Sequence, residues 1–172
     1  SAIVSGVSAQ NQANQNIAAT QSAKLALSNA IDISFYSSFY GGTQTMTFDN
    51  VNDYANGVET GWQILIVKSN KNYDVTVKTN SANFTYSGST TPAPTMPISA
   101  LNVGLFYNGT RGAASPTFSN KFAPLSQSPQ TIITNGVKGG FQYFFTRYKA
   151  APGFAYPAGT YTAEVIYTAT QK

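Results

Sequence analysis

From residue 23 onward, apolar side chains recur at every second position in short runs, and most of these runs are closed by Gly, Pro, Asn or Asp. A two-residue period places one set of side chains on one face of an extended strand, so the pattern specifies strands rather than helices. Leu25, Leu27, Ile31, Ile33 and Phe35 alternate with small or polar residues through residues 24–34, and Met46 and Phe48 mark a second strand. Trp62, Ile64 and Ile66 share a phase, as do Tyr73, Val75 and Val77 beyond the turn Ser69-Asn70-Lys71-Asn72. Residues 62–78 therefore read as an antiparallel hairpin with one buried face, and Trp62 as a core residue. Phe84 and Tyr86, then Leu101 to Tyr107, Thr131 to Ile133, Phe141 to Tyr148 and Thr160 to Thr170 supply further strands. Pro92, Pro94 and Pro97 make residues 87–97 a loop, because proline cannot donate to a sheet ladder. Residues 109–130 form a second loop rich in Gly, Ser and Pro, with Phe118 and Phe122 as packing anchors. The expectation is an all-β fold over residues 23–172. It is an Ig-like or jelly-roll-like β-sandwich of seven to nine antiparallel strands, preceded by an N-terminal extension over residues 1–22.

Composition removes several kinds of chemistry. The chain has no Cys and no His, which excludes disulfides, thiolate nucleophiles, the usual general base and the commonest zinc ligand. No nucleophile–base pair is recognisable, so the chain does not read as an enzyme, and no cofactor is expected. Charged residues are only 9% of the chain, and Asn, Gln, Ser and Thr must solvate the surface. That balance suits an extracellular setting. The net charge is +4, but the ten basic residues are scattered and form no stripe of the kind that binds nucleic acid. No apolar run approaches the ~20 residues that span a bilayer, and Ser1-Ala2-Ile3-Val4 lacks signal-peptide character, so the sequence reads as a mature secreted form.

The first 22 residues contain no charge, aromatic or proline and are rich in Gln and Asn from residue 10 on. A disordered tail is one reading. The other is a strand: Ile3, Val7 and Ala9, or Val4 on the opposite phase, follow a period of two. Ile17-Ala18-Ala19 is also compatible with a turn of helix.

The six carboxylates are Asp32, Asp49, Asp53, Glu59, Asp74 and Glu164. Asp74 and Glu164 fall mid-strand and read as solvated charges. Asp49-Asn50-Val51-Asn52-Asp53 groups four oxygen-bearing side chains, and Asp49 and Asp53 are a weak calcium candidate. Side chains bonding the local turn are the alternative. Phe141, Tyr143, Phe144, Phe145 and Tyr148 put rings on both faces of one strand, and Tyr143 and Tyr148 are the candidate ligand face for stacking sugars.

The stretch Pro157-Ala158-Gly159-Thr160-Tyr161-Thr162-Ala163-Glu164-Val165-Ile166-Tyr167-Thr168 resembles the closing strand of chaperone–usher pilins of the archaic, spore-coat-U-like type, and residues 19–35 resemble the first strand of such a subunit. The chain departs from many pilins in having no Cys. The resemblance implies a sandwich lacking one strand, whose groove takes the N-terminal extension of the next subunit as a donor strand. It implies Ile3, Val4, Val7 and Ala9 as donor side chains, and Tyr161, Ala163, Val165 and Tyr167 as the groove or closing strand. It also implies self-assembly into a cell-surface filament, with a periplasmic chaperone and an outer-membrane assembly protein as partners. A glycan-binding module or adhesin, and a coat protein with an assembly arm, are the alternatives.

Overall fold

The computed structural model describes residues 14–172, and its strands lie in antiparallel sheets that make a β-sandwich. Seven strands of five or more residues carry it: β1 (Ile31–Phe35), β3 (Gln63–Ser69), β4 (Tyr73–Thr79), β6 (Leu101–Asn108), β9 (Gln130–Gly136), β10 (Gly139–Ala150) and β12 (Val165–Gln171). Five pieces of two or three residues trim the edges: β2 (Val58–Glu59), β5 (Thr85–Ser87), β7 (Ala113–Ala114), β8 (Ala123–Pro124) and β11 (Thr160–Thr162). Two short helices, α1 (Ser38–Gly41) and α2 (Val51–Asn56), lie between β1 and β2.

One sheet runs β1-β3-β10-β6-β8, with β2 also on β10, and the other runs β12-β4-β9-β7. In an immunoglobulin constant-type sandwich one sheet is ordered A-B-E-D and the other holds C, F and G. Here β1, β3, β10 and β6 stand in the places of A, B, E and D, and β4 and β12 in those of C and F. That part of the order is Ig-like, whereas β9, which lies between β6 and β10 in the chain but pairs with β4 in the other sheet, and β7 have no counterpart in it. Among the described residues no strand pairs with the outer edge of β12, where G would stand.

The core follows strand parity. In β4, Tyr73, Val75, Val77 and Thr79 are buried while Asp74, Thr76 and Lys78 are not. They meet Leu65 and Val67 of β3, Leu101, Val103 and Leu105 of β6, Ile132 and Ile133 of β9, and Phe144 and Tyr148 of β10. Of the two anchors expected in the long loop, Phe118 enters the same cluster, whereas Phe122 stays half-buried outside it against Phe106 at 5.1 Å. Leu125, which the sequence does not single out, is buried in its place.

Several expectations are corrected. The strand expected over residues 24–34 is confined to Ile31–Phe35, and residues 14–30 are exposed with neither strand nor helix. Met46 and Phe48 lie outside any strand, though Met46 packs on the core. Residues 62–78 do not form a hairpin within one sheet: β3 pairs β1 and β10, β4 pairs β9 and β12, and the turn between them crosses from sheet to sheet. Alternation cannot distinguish the two, because each strand needs only one apolar face turned to the same core. Trp62 is not a core residue and is 51% exposed. Its phase with Ile64 and Ile66 is as read, but that phase faces outward, and Leu65 and Val67 take the core. Every residue from Ile64 to Val67 is apolar, so the strand offers two hydrophobic faces and its pattern does not choose between them. The final strand is broken: Tyr161 and its neighbours pair with β5, and the chain rejoins the main sheet only at Val165.

Candidate functional site

The least finished part of the sandwich is the seam between β1 and β12. Among the described residues each is the last strand of its sheet, so the backbone N–H and C=O groups on its outer edge have no strand partner there. The two strands face each other, with Phe35 and Tyr167 in edge-to-face contact at 6.2 Å. Along β12, Val165, Tyr167 and Ala169 point toward the core yet stay half-buried, as do Ile33 and Phe35 of β1. The matching positions of the inner strands β3 and β4 are fully buried. A sheet edge with half-covered apolar side chains is the geometry that invites another strand.

Of the residues expected on the closing strand, Val165 and Tyr167 line this seam. Tyr161 and Ala163 do not: Tyr161 packs on Tyr86 at 5.2 Å, and Ala163 falls in the break between β11 and β12. Behind the seam, the Tyr148 and Tyr167 hydroxyls are 2.8 Å apart, and Tyr167 Oη donates to Thr146 Oγ1 at 3.0 Å. Burial, with the neighbouring Tyr167 adding to it, pushes the Tyr148 hydroxyl well above its ordinary value. Burial pushes Tyr167 up to about 12, its bonds to Thr146 and Tyr148 pulling the other way. Tyr167 presents part of its ring to the seam while its hydroxyl reaches between the sheets.

Residues 14–30 lead into β1 with their apolar side chains uncovered: Ile17, Leu25 and Leu27 are 92%, 79% and 87% exposed. Ile17, Ala19, Ala23, Leu25 and Leu27 hold odd positions and Thr20, Ser22, Lys24 and Ser28 even ones, with Gln21 interrupting the odd phase and Ala18 and Ala26 falling on the even one. The large apolar side chains of this stretch thus share one phase of a period of two. The phase was visible in Leu25 and Leu27, but their continuity with Ile31, Ile33 and Phe35 assigned them to the body. Ile3, Val4, Val7 and Ala9 lie outside the described residues.

The arm is tied to the body at one point. Asn70, in the turn after β3, accepts from the Ala30 N–H through Oδ1 (2.9 Å) and donates from Nδ2 to the Ser28 carbonyl (2.8 Å). Its backbone N–H donates to the Ala30 carbonyl at 3.2 Å. Gln171, at the end of β12, donates from Nε2 to that same carbonyl (2.8 Å), to Ser69 Oγ (3.0 Å) and to Asn70 Oδ1 (3.0 Å). Gln171 thereby joins the edges of both sheets at one end of the seam.

A second feature is a strip of rings on the outer face of the β1-containing sheet. Trp62, Phe145, Tyr107, Tyr143, Phe141, Tyr36, Tyr40 and Phe39 follow one another with centroid separations of 5.0–6.3 Å. Tyr143 belongs to this strip, stacked on Tyr107 at 5.5 Å. The hydrogen bond to Tyr143 is the main cause that raises the Tyr107 hydroxyl above its ordinary value. Tyr148 does not belong to it. It is 7% exposed and faces the core, since five residues along a strand reverse the face.

The acidic turn is committed to local structure. Asn50 caps α2 by accepting from the Asp53 N–H (3.1 Å), while Asp53 Oδ2 accepts from the N–H groups of Asp49 (2.8 Å) and Asn50 (3.3 Å). This is a reciprocal capping arrangement, the local use weighed against calcium. Asp74 is also engaged, accepting from the Asn135 N–H at 2.9 Å and pairing with Lys172 at 3.2 Å. Among the described residues no group of His, Cys, Asp and Glu is placed to hold a metal ion, and no helix is long and apolar enough to cross a membrane.

No model of a known protein family matches the chain, and no characterised protein sequence matches it.

Proposed function

We propose that the chain is a structural subunit of an extracellular, cell-surface filament, joined to its neighbours by strand complementation. The observation that carries this reading is the empty place beside β12, next to a half-open core. The exposed arm with its two-residue apolar period supplies a matching strand. An arm from a second copy lying along β12 would pair with the free backbone edge and turn alternate apolar side chains inward over Val165, Tyr167 and Ala169. Residues 17–27 would extend about 36 Å and the seven residues of β12 about 23 Å, so the arm is long enough. Each copy receives one arm and offers another, and a head-to-tail contact that does not close builds a filament. An open edge and an uncovered apolar seam are hazards before assembly, which is a role for a chaperone that covers them.

Electron microscopy of the full chain and of a variant lacking residues 1–27 tests this. Filaments are expected from the first and monomers from the second. A peptide of residues 14–28 added to the truncated chain should raise its Tm, by ~2.7 kcal/mol of stability at a hundredfold excess over Kd. Polymerisation that survives the truncation would overturn the reading.

The exposed rings favour a second reading, an adhesive face for glycans, since Trp62, Tyr107 and Phe141 are exposed on one surface. Loss of glycan-array binding in a Trp62→Ala, Tyr107→Ala variant would support it, and an array without hits would end it.

A further inference from the structure

Where the arm meets the body, two neutral amide side chains, one from the turn after β3 and one from the end of β12, grip Ser28 and Ala30. Asn70 holds Ser28 and Ala30, and Gln171 holds Ala30 while also bonding Asn70 and Ser69. The grip ends at Ser28, and the last large apolar side chain of the arm is Leu27. No free spacer therefore separates the body from the apolar stretch that begins beyond it. A flexible linker would add reach at the cost of a defined angle. Here the chain leaves the sandwich already directed.

We propose that Asn70 and Gln171 form a clamp that fixes the direction in which the arm leaves the body, so that the joint between consecutive subunits is stiff. This rests on the strand-complementation reading for its consequence in a filament, though not for its existence in a single chain. The bonds are directional and multiply shared, and the clamp is anchored on rigid elements: the β3–β4 turn and the end of β12, where Lys172 N–H also donates to the Asn72 carbonyl at 2.9 Å. Gln171 occupies the junction of the two sheets, so loosening it frees the arm without removing an apolar core side chain. Asn70 and Gln171 are positioning residues, and insertion of the arm itself does not require them.

Because the chain has no Cys, two introduced thiols can carry the only spin labels. The full chain with Thr20→Cys and Thr131→Cys, diluted to monomer, should give a narrow distance distribution by pulsed electron resonance. Asn70→Ala, and separately Gln171→Glu, which keeps the size of the side chain but removes its donor, should each broaden it at least twofold. A broad distribution with the clamp intact, or no change on substitution, overturns the proposal. In filaments the same substitutions should lower the persistence length at least twofold while leaving the amount of polymer unchanged, and an unaltered persistence length overturns it equally. If the full chain builds no filament, the function proposed above has failed and the clamp stands or falls on the distances.

Discussion

The two flanks of this sandwich are finished in opposite ways. On the β6–β8 and β9–β7 side, each sheet edge is capped by a strand of only two residues, the loop between them drives Phe118 into the core, and Leu125 enters it just past β8, both fully buried. Very short edge strands and a covering loop are common means of blunting a sheet edge. On the β1–β12 side nothing comparable occurs among the described residues, and inward-pointing side chains stay half-covered. The same chain thus seals one flank with its own loop and, among the described residues, leaves the other uncovered. What differs is both the edge strand itself, Ala-Ala and Ala-Pro on one side against β-branched and aromatic residues on the other, and whether residues of the same chain return to cover the edge.

The contrast can be broken most decisively in the core. Phe118→Ala empties a fully buried ring site on the sealed flank and should cost about 3–5 kcal/mol in denaturant unfolding of the monomer. Val165→Ala removes two methyl groups from a half-covered site and should cost under about 1.5 kcal/mol in the same measurement. In assembled material the order should narrow, because an inserted strand completes the burial of Val165 and leaves Phe118 as it was. Equal costs in the monomer would mean that the seam is already closed.

Alkaline titration probes the same contrast through buried hydroxyls. Tyr73 and Tyr167 are both pushed up to about 12 by burial, from an ordinary value of 10.0. A raised folded-state value means that the unfolded chain releases its protons first. The stabilising effect is therefore complete below about pH 10 and is lost as pH rises from 10 toward 12, a fall on the order of a few kcal/mol over both groups. The tyrosinate absorbance of the folded monomer should lag that of the denatured chain across this window. In filaments the group at the seam, Tyr167, should titrate later still while Tyr73 is unmoved, and identical curves for monomer and filament would contradict an inserted strand over Tyr167.

How much of this was legible in the sequence follows from where each signal resides. The period of two marks β4 and its inner face, because that strand has one apolar and one polar face, and in β6 and β12 it marks the inner face although Phe106 and Ile166 interrupt the outer one. β3 and β10 carry apolar or aromatic side chains on both faces, so Trp62 was turned the wrong way and Tyr148 was grouped with Tyr143 despite the opposite parity. Membership of a sheet is not a local property: the turn between β3 and β4 is compatible with a hairpin or a crossing, and only the packing of both strands on one core decides. The first strand starts later than the sequence pattern suggests, because Leu25 and Leu27 continue the phase of Ile31 and Ile33 and alternation alone does not say where pairing begins. The clamp was invisible in principle, since Asn70 and Gln171 are ordinary polar residues until a turn and a strand end bring them within 3.0 Å.

The subtlest test applies one substitution, Tyr→Phe, on each flank and looks for opposite signs. Tyr167 Oη donates to Thr146 and lies 2.8 Å from the Tyr148 hydroxyl, so removing it breaks a connected chain and leaves buried partners unpaired. Tyr167→Phe should cost roughly 1–3 kcal/mol. Tyr73 lies under β9, its ring so close to Gly136 that a side chain there would collide with it. Thr110 lies near enough to temper the shift of the Tyr73 hydroxyl, but its own Oγ1 already donates to Asn108 Oδ1 and accepts from the Gly112 N–H. The Tyr73 hydroxyl is consequently buried without a partner. Tyr73→Phe removes a desolvated group that gains nothing in return, and should leave stability unchanged or raise it by up to ~1 kcal/mol. Thermal unfolding of the two single variants checks the pair. A loss at Tyr73 as large as that at Tyr167 would show that the sealed flank also depends on a hydroxyl bond, and that the flanks differ in coverage but not in how their buried polar groups are satisfied.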